Sequence, residues 1–243
     1  MPFTHQKTPR GDLFGANGRN VHIPAGNDTL AAAIEPLMRF TQAATDAADL
    51  IQPDKLPDQL RSRFGGLLFD ASSNAIEMAR VARRDTMEAD ARSMQVPASI
   101  NMSNAAEIRS IYRSLDAGEQ HRRVLNAPLV ELAALVEPGT GNLAALPDVT
   151  LNAAVERYAV AAHAERSGMA GSFPRQPSLD GEISAIGVDE NATLAAAEAV
   201  MAKHRDRLAQ ISKNEAVLRD LIGYVAAALD IAPQDALAQS LAA

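Results

Sequence analysis

The sequence predicts an essentially all-α fold, an elongated bundle of six to eight helices that ends in a long C-terminal helix. Three observations predict it. Alanine, the strongest helix former, supplies 48 of the 243 residues. Aromatic residues make up only 4% of the chain and β-branched residues are few, which disfavours a large sheet. Apolar residues recur at helical spacing along several long segments.

Residues 1–27 are predicted to form an extended arm, because glycine, proline and asparagine interrupt every helical or strand period there. Three basic residues against Asp12 give this segment a charge of +2 in an acidic chain. Its spaced apolar residues favour docking on a neighbouring chain, and a disordered terminus is the alternative. The candidate partner-binding residues are Phe3, Phe14, Ile23, Arg10 and Arg19.

Residues 28–167 are predicted to form a helical domain. Its first helix follows good capping residues at 27–29 and carries a heptad stripe from Leu30 to Ile51. Pro36 lies inside this stripe and predicts a kink, because proline lacks the backbone N–H that a helix interior uses.

A short second helix is predicted to begin at Pro57, since proline suits the first turn of a helix. Gly65 and Gly66 are expected to separate it from a longer helix that ends near Met94. A break is then predicted from about Met94 to Met102.

The second half of the helical domain is predicted to begin with a capping box, Asn104 with Glu107. Helical residues 119–137 follow and end at a turn rich in proline and glycine. The next helix is predicted from Thr150 to Ser167, with Gly168 in the left-handed conformation after its end.

Residues 168–189 are predicted to be an ordered loop or insert, because they are rich in glycine and proline. A connection of about 22 residues is longer than most loops within a compact domain. Asp180 and Gly181 are a typical turn pair, so a small β-hairpin is one option for this segment.

Residues 190–243 are predicted to form a long helix and a short terminal helix, both packed on the helical domain. A heptad stripe runs without a break from Leu194 to Leu229, and Pro233 lies beyond its end. A helix of about 40 residues is about 60 Å long, whereas a compact chain of this length has a diameter of about 45 Å. The stripe therefore predicts an elongated molecule, or pairing with another chain as a coiled coil.

The faces of this long helix are predicted to differ. Leu208 and Ile211 lie at the centre of the stripe and are expected to be buried, and His204 is expected to fix helix register. The opposite face is expected to be exposed and tolerant of alanine. Its members are Lys203, Arg207, Gln210 and Asn214.

Motifs for catalysis or cofactor binding are missing from the sequence. The absence of cysteine excludes disulfides, thiolate catalysis and cysteine-ligated metals. His204–Arg205–Asp206 spells a kinase tripeptide without the other kinase motifs, and no two of the five histidines have the i,i+4 spacing of a helical metal site. We expect no catalytic residue, no cofactor and no metal, and hence not an enzyme.

Two arginine clusters are candidate anion-binding residues. They comprise Arg80, Arg83 and Arg84 in one cluster and Arg122 and Arg123 in the other. Acidic residues interleave with them, aromatic stacking partners are almost absent, and the net charge is −7. We therefore expect these arginines to pair with carboxylates, and we do not expect nucleic acid as a partner.

These features predict a non-catalytic structural or adaptor protein of a larger assembly, with a protein partner or self-association. A bacteriophage virion component, such as a connector-type or internal protein, would have this profile, as would a bacterial scaffold or secretion-associated protein. One alternative is a helical nucleic-acid-binding regulator that uses the arginine clusters and the arm; another is an enzyme with a dispersed site.

No membrane span or secretion signal is expected. The longest apolar stretch, Leu221 to Leu229, is far shorter than the roughly 20 residues of a membrane-spanning helix. The start of the chain has no apolar signal-peptide region. We therefore expect the protein inside the bacterial cytoplasm or in an assembled virion.

Overall fold

The chain is mostly helical, as predicted, and also contains a small N-terminal sheet. The computed structural model describes residues 3–137, 141–179 and 183–243. Within these residues it has eight α-helices and three β-strands. The chain divides into two compact units. Unit 1 comprises Met1–Asp85 and Arg207–Ala243, and unit 2 comprises Thr86–Asp206.

Unit 1 begins with an antiparallel sheet in the order β1-β2-β3. The strands are β1 (Phe3–Thr8), β2 (Gly11–Ala16) and β3 (Arg19–Pro24). The prediction of an extended arm over residues 1–27 is therefore wrong for the part that the structure describes. Asn17 and Gly18 have φ angles of 50° and 80°, the left-handed pair of a type I′ turn, and this turn matches the twist of paired strands.

Gly11 shows how closely β2 and β3 approach. Its φ is +136°, and a Cβ built on it would lie 2.1 Å from the carbonyl oxygen of Ile23. No side chain fits at this position, so the pairing of β2 with β3 requires a glycine here. In the sequence, the same glycine was one of the residues that suggested an irregular segment.

The first helix of unit 1 is α1 (Ile34–Leu50), which follows a 3₁₀ turn, Ala31–Ala33. Pro36 is the third residue of α1, where its missing N–H has no intrahelical partner to lose. The predicted kink is therefore wrong: Pro36 lies in the first turn of α1 and not in its interior.

Helix α2 (Leu56–Ser93) runs without interruption through Gly65 and Gly66, so the predicted break there is wrong. A Cβ on Gly65 would lie 3.4 Å from Phe69 and 3.7 Å from Leu229, so this glycine sits at a close packing contact. Leu60 and Leu68 are buried on either side of it. Their burial offsets the roughly 1 kcal/mol that a glycine costs in a helix.

The core of unit 1 is one cluster in which large side chains pack together with alanines. The ring centroids of Phe3 and Phe40 are 5.8 Å apart, and those of Phe14 and Tyr224 are 6.5 Å apart, both in edge-to-face geometry. Asn17 at the turn between β2 and β3 donates a hydrogen bond of 2.6 Å to the carbonyl oxygen of Ala227. The sheet is thus an integral wall of this core.

Unit 2 contains four complete helices. They are α3 (Ala105–Ser114), α4 (Ala117–Asn126), α5 (Leu129–Val136) and α6 (Asp148–Ser167). The predicted break after Met94 is present. Asn104 precedes α3 but makes no side-chain capping bond; the capping box is formed instead by Asp116 and Glu119 at the start of α4. Gly168 ends α6 with a φ of 63°, as predicted.

The insert, residues 168–189, begins with a 3₁₀ turn, Met169–Ser172. An antiparallel bridge joins Pro174 to Val188, and the backbone N–H of Asp189 donates to the carbonyl oxygen of Phe173 over 2.8 Å. The turn pair of the predicted hairpin, Asp180 and Gly181, lies outside the described residues.

Helix α7 (Glu190–Leu229) is continuous over 40 residues, as predicted, and α8 (Pro233–Ala242) follows it. Asp189 caps α7 by accepting a 2.9 Å hydrogen bond from the backbone N–H of Ala192. In the part of the chain that the structure describes, no helix is both long and apolar enough to cross a bilayer.

The buried face of α7 differs from the predicted stripe. Leu208 and Ile211 are only half-buried, whereas Leu221 and Tyr224 are fully buried in the core of unit 1. Asn214, predicted to be exposed, is buried and accepts a 2.8 Å hydrogen bond from the side chain of Asn27. The prediction is wrong at Asn214 because the buried face rotates around the helix toward its C-terminal end.

Candidate functional site

The predicted partner anchors lie inside unit 1. Phe3, Phe14 and Ile23 are 7%, 0% and 1% exposed and belong to its core cluster. The strands turn these side chains inward, so the expectation that they contact another chain is corrected. Arg10 and Arg19 are exposed but lie in or next to the turns at opposite ends of β2, so they form no common patch.

The first arginine cluster is exposed on α2, and each member lies next to a carboxylate. The nitrogen–oxygen distances are 3.2 Å for Arg80 to Glu77, 3.1 Å for Arg83 to Glu215 and 3.5 Å for Arg84 to Asp85. Each arginine of this cluster therefore has a carboxylate neighbour in the structure. Exposed pairs of this kind contribute about 0–1 kcal/mol each.

The second arginine cluster divides into two environments on α4. Arg122 is exposed, whereas Arg123 donates two hydrogen bonds to Glu131, of 3.1 Å from Nε and 3.0 Å from Nη2. The guanidinium also lies 5.2 Å from the ring centroid of Tyr112, whose hydroxyl donates to Glu131 over 3.1 Å. These contacts tie α3, α4 and α5 together.

The pKa values of Tyr112 and Glu131 are both shifted away from neutrality. Burial, followed by the charge of Glu131, raises the pKa of Tyr112 to about 12. The hydrogen bond from Arg123 lowers the pKa of Glu131. At neutral pH the tyrosine is therefore a hydrogen-bond donor and the glutamate an acceptor, and neither is poised to exchange a proton.

A histidine–aspartate pair that the sequence gave no reason to expect lies in the sheet. His5 Nε2 is 2.7 Å from Asp12 Oδ1, and the His5 ring stacks on Phe14 with centroids 4.5 Å apart. The pair joins β1 to β2 above the core. In residues 3–137, 141–179 and 183–243, no group of three or more His, Asp or Glu side chains is arranged to hold a metal ion.

Unit 2 contains a groove of about 820 Å³, formed by α5, α6, the first turns of α7 and the two ends of the insert. The apolar side chains of α5, α6 and α7 that line the groove are small or aliphatic. They are Leu129, Leu132, Val160, Ala161, Ala164, Leu194 and Ala195. The many alanines that favour helices here leave open space between them, because alanine fills little volume.

The charged side chains of the groove are arginines and glutamates. Arg205 pairs with Glu198, and Glu165 accepts a 2.7 Å hydrogen bond from Ser99. Arg157 differs: its Nε is buried and, among the residues that the structure describes, it is the one buried side-chain nitrogen or oxygen without a hydrogen-bond partner. The groove thus combines an apolar floor with a donor that lacks an acceptor.

The insert exposes three large aliphatic side chains. Leu179, Ile183 and Ile186 are 92%, 71% and 87% exposed. Sequence reasoning treated the insert as a loop and missed them, although three such residues within eight positions of a loop were visible. Large exposed apolar patches are common at binding sites, so this segment is a candidate for one.

Unit 2 thus contains both a groove with apolar lining and exposed apolar side chains in the insert. Comparison with known proteins does not assign the chain to a family, since no protein-family model, no curated protein and no solved structure matches it.

Proposed function

We propose that this chain is a non-catalytic structural or adaptor protein of a larger assembly, and that it binds a protein partner through the insert. The exposure of Leu179, Ile183 and Ile186 is the observation that supports the proposal. Burying one such side chain is favourable by about 1.5–3 kcal/mol relative to leaving it in water. A partner that covers all three would gain several kcal/mol from this segment alone.

The base of the insert supports the same proposal. The bridge between Pro174 and Val188, together with the cap that Asp189 provides for α7, fixes both ends of the insert to regular structure. An apolar segment that emerges from a fixed base loses less conformational freedom on binding than a free tail does.

The two alternatives have less support. A nucleic-acid-binding regulator would use the two arginine clusters and the arm. Arg80, Arg83 and Arg123 already lie next to carboxylates that a phosphate would have to displace. Arg10 and Arg19 of the arm form no common patch. An enzyme with a dispersed site would be expected to hold a group with a pKa near neutrality beside a cleft. The largest pKa shift, that of Tyr112, points away from neutrality.

We further propose two kinds of assembly in which the protein could serve. A bacteriophage virion component, of the connector-type or internal kind, would use exposed apolar segments to hold neighbouring subunits. A bacterial scaffold or secretion-associated protein would do the same in the bacterial cytoplasm. The identity of the partner distinguishes these possibilities.

Site-specific photo-crosslinking in the cells that express the protein naturally tests the proposal. A photoreactive amino acid replaces Ser184, which is exposed within the insert, in the full chain. We expect a discrete crosslinked product of defined mass. Val149 is 73% exposed outside the insert and is the matched control position, where no such product is expected.

A second chain combines the photoreactive residue at position 184 with Leu179→Ser, Ile183→Ser and Ile186→Ser. These side chains are exposed, so the fold should change by no more than about 0.5 kcal/mol for each. The product should be lost in this chain. No product in the otherwise unchanged chain, or equal products at positions 184 and 149, would refute the proposal.

A further inference from the structure

We propose that the groove of unit 2 binds an extended peptide segment of a partner protein in which apolar and basic side chains alternate. The apolar side chains lie on the floor of the groove, and the basic ones lie against the glutamates at its rim. This surface is separate from the exposed part of the insert, because Leu179, Ile183 and Ile186 do not line the groove.

The floor of the groove is apolar and buried. Leu132 of α5 and Val160 and Ala164 of α6 line it and are 1%, 7% and 7% exposed. The volume of about 820 Å³ lies within the range of about 300–1,000 Å³ that is typical of ligand sites. Apolar side chains of a ligand are favoured on this floor, because they leave water without giving up hydrogen bonds.

Four glutamates surround this floor. Glu156 and Glu165 of α6 and Glu190 and Glu198 of α7 line the groove, and all four are exposed. Exposed carboxylates beside buried apolar residues form the rim of the groove. Two arginines also line it, so four carboxylates against two guanidinium groups leave a net charge of −2. A basic ligand is therefore favoured over an acidic one.

Most of this negative charge has no basic partner within the chain. Arg205 pairs with Glu198, whereas Glu156, Glu165 and Glu190 make no ion pair with any residue that the structure describes. The hydrogen bond that Arg205 donates to Glu198, together with the charges of Glu198 and Glu156, raises the pKa of Arg205. The electrostatic field at this end of the groove thus favours a positive charge.

Arg157 indicates the conformation of the ligand. It lines the groove and is half-buried, and its buried Nε has no hydrogen-bond partner among the residues that the structure describes. A guanidinium group carries five N–H donors, so it needs acceptors. An extended segment brings backbone carbonyl oxygens that have no partner of their own, whereas a helix interior uses its carbonyls internally. An extended peptide therefore suits Arg157 better than a helix does.

The spacing of the rim glutamates sets the length of the segment. Glu156 and Glu165 are nine residues apart on α6, which is about 13.5 Å along the helix axis at 1.5 Å per residue. An extended chain rises about 3.3–3.4 Å per residue, and every second side chain points to the same side. Four residues of the ligand therefore cover this distance, and a hexapeptide with three basic side chains on one side spans it.

Binding of synthetic hexapeptides to the full chain tests the inference. Three peptides with blocked ends and the same fluorescent label alternate leucine with lysine, glutamine or glutamate. Fluorescence anisotropy at low salt measures their affinities. We expect the lysine peptide to bind at least tenfold more tightly than the glutamate peptide, with the glutamine peptide between them. Added salt should narrow this difference, because it screens exposed charges.

Variants at the rim test the charge contact. Glu156→Gln combined with Glu165→Gln should weaken binding of the lysine peptide by about threefold to tenfold, the range expected for two exposed ion pairs. The affinity for the glutamine peptide should not change. Glu107→Gln, at an exposed position on α3 outside the groove, is the matched control and should leave all three affinities unchanged.

Two further variants test the interior of the groove. Ala161→Phe, at a half-buried position, places a ring in the groove and should abolish binding of the lysine peptide. Arg157→Met should weaken this binding by about fivefold to tenfold, because the peptide loses a donor for its carbonyl oxygens. Removal of a positive charge without such a contact would strengthen it instead. Circular dichroism checks that each variant retains its helices.

Four results would overturn the inference: no binding of the lysine peptide to the unchanged chain, equal affinities for the lysine and glutamate peptides, binding that a folded Ala161→Phe chain retains, or tighter binding by Arg157→Met. The chain with Leu179→Ser, Ile183→Ser and Ile186→Ser should bind the lysine peptide as the unchanged chain does. Photo-crosslinking from position 184 reports on the insert, and the peptides report on the groove, so failure of this inference is distinguishable from failure of the proposed function.

Discussion

The two units use the same alanine-rich composition in different ways. Unit 1 contains six of the nine aromatic residues, and most of these large rings complete one continuous core. Unit 2 contains the other three, and its buried apolar residues form two separate clusters. In unit 2, small side chains of α6 such as Ala161 and Ala164 line the groove.

The buried tyrosines show the same contrast. Tyr224 in unit 1 packs against Phe14, and its hydroxyl lies 3.3 Å from that of Thr41. In unit 2, Tyr112 and Tyr158 use their hydroxyls to join segments: Tyr112 donates to Glu131, and Tyr158 donates to the carbonyl oxygen of Gln95. Unit 1 therefore depends on apolar packing, and unit 2 depends more on polar contacts between short helices.

The largest expected effect is the loss of Phe14 from unit 1. Phe14→Ala removes a fully buried ring that contacts both His5 and Tyr224, and should cost about 3–5 kcal/mol. Leu13→Ala, at the half-buried neighbouring position of the same strand, is the control and should cost less. Urea unfolding measures both. Equal costs would mean that the sheet does not close the core.

Helix α7 should be most sensitive where it crosses the core of unit 1. Leu221→Ala should cost about 2–5 kcal/mol, because this side chain is fully buried. Leu208→Ala should cost less, because Leu208 is half-buried. The heptad pattern alone predicts the reverse order, so thermal unfolding of the two variants decides between the pattern and the packing.

Asn214 should be a sensitive polar position within α7. Asn214→Ala removes two hydrogen bonds, those from the half-buried amides of Asn27 and Gln210 to the buried Asn214, and should cost about 1–3 kcal/mol. Lys203→Ala, at an exposed position on the same helix, should change stability by no more than about 0.5 kcal/mol. If Asn214→Ala is equally neutral, this hydrogen-bonded group does not support unit 1.

A smaller loss of stability, of about 1 kcal/mol, is expected for Glu131→Gln in unit 2. Glutamine can still accept a hydrogen bond from Tyr112, but it loses the charge that pairs with Arg123. The neutral side chain removes one of the causes that raise the pKa of Tyr112 to about 12, so that pKa should fall. Ultraviolet absorbance of the phenolate measures it. An unchanged Tyr112 pKa would mean that burial alone raises it.

The alkaline limit of stability follows from the same tyrosine. The pKa of Tyr112 is raised from 10.0 to about 12 by folding, so the unfolded chain releases this proton first. The stabilising contribution is complete below pH 10 and is lost as the pH rises through about 12. Urea unfolding across this range should show a steeper loss for the unchanged chain than for Tyr112→Phe.

Local signals in the sequence predicted much of the helical structure. Gly168 after α6, Asp189 before α7 and Pro233 at the start of α8 each act through backbone conformation or capping, which depend on a few neighbouring residues. The sheet also had such a signal. Asn17–Gly18 is the commonest sequence of a two-residue hairpin turn, with Val21 and Ile23 alternating after it.

The groove and the buried Asn214 could not be predicted in this way. Both depend on which helix faces which, and α6 and α7 meet only through tertiary packing. Gly65 illustrates the reason: its helix-breaking tendency is local and worth about 1 kcal/mol, whereas the burial of Leu60 and Leu68 around it is worth more. The exposure of Ile186 could not be predicted either, because it depends on whether another part of the tertiary structure covers this side chain.

The discontinuity of unit 1 has a consequence for synthesis. Unit 2 is a single run of sequence, whereas Phe14 and Tyr224, which touch in unit 1, are separated by most of the chain. A ribosome makes all of unit 2 between Phe14 and Tyr224, so the core of unit 1 stays open until residues 207–243 have been made. Contacts between such distant positions also form slowly, because a long loop must close first. A chain truncated after Asp206 should resist protease within residues 86–206 while its first strands are cleaved.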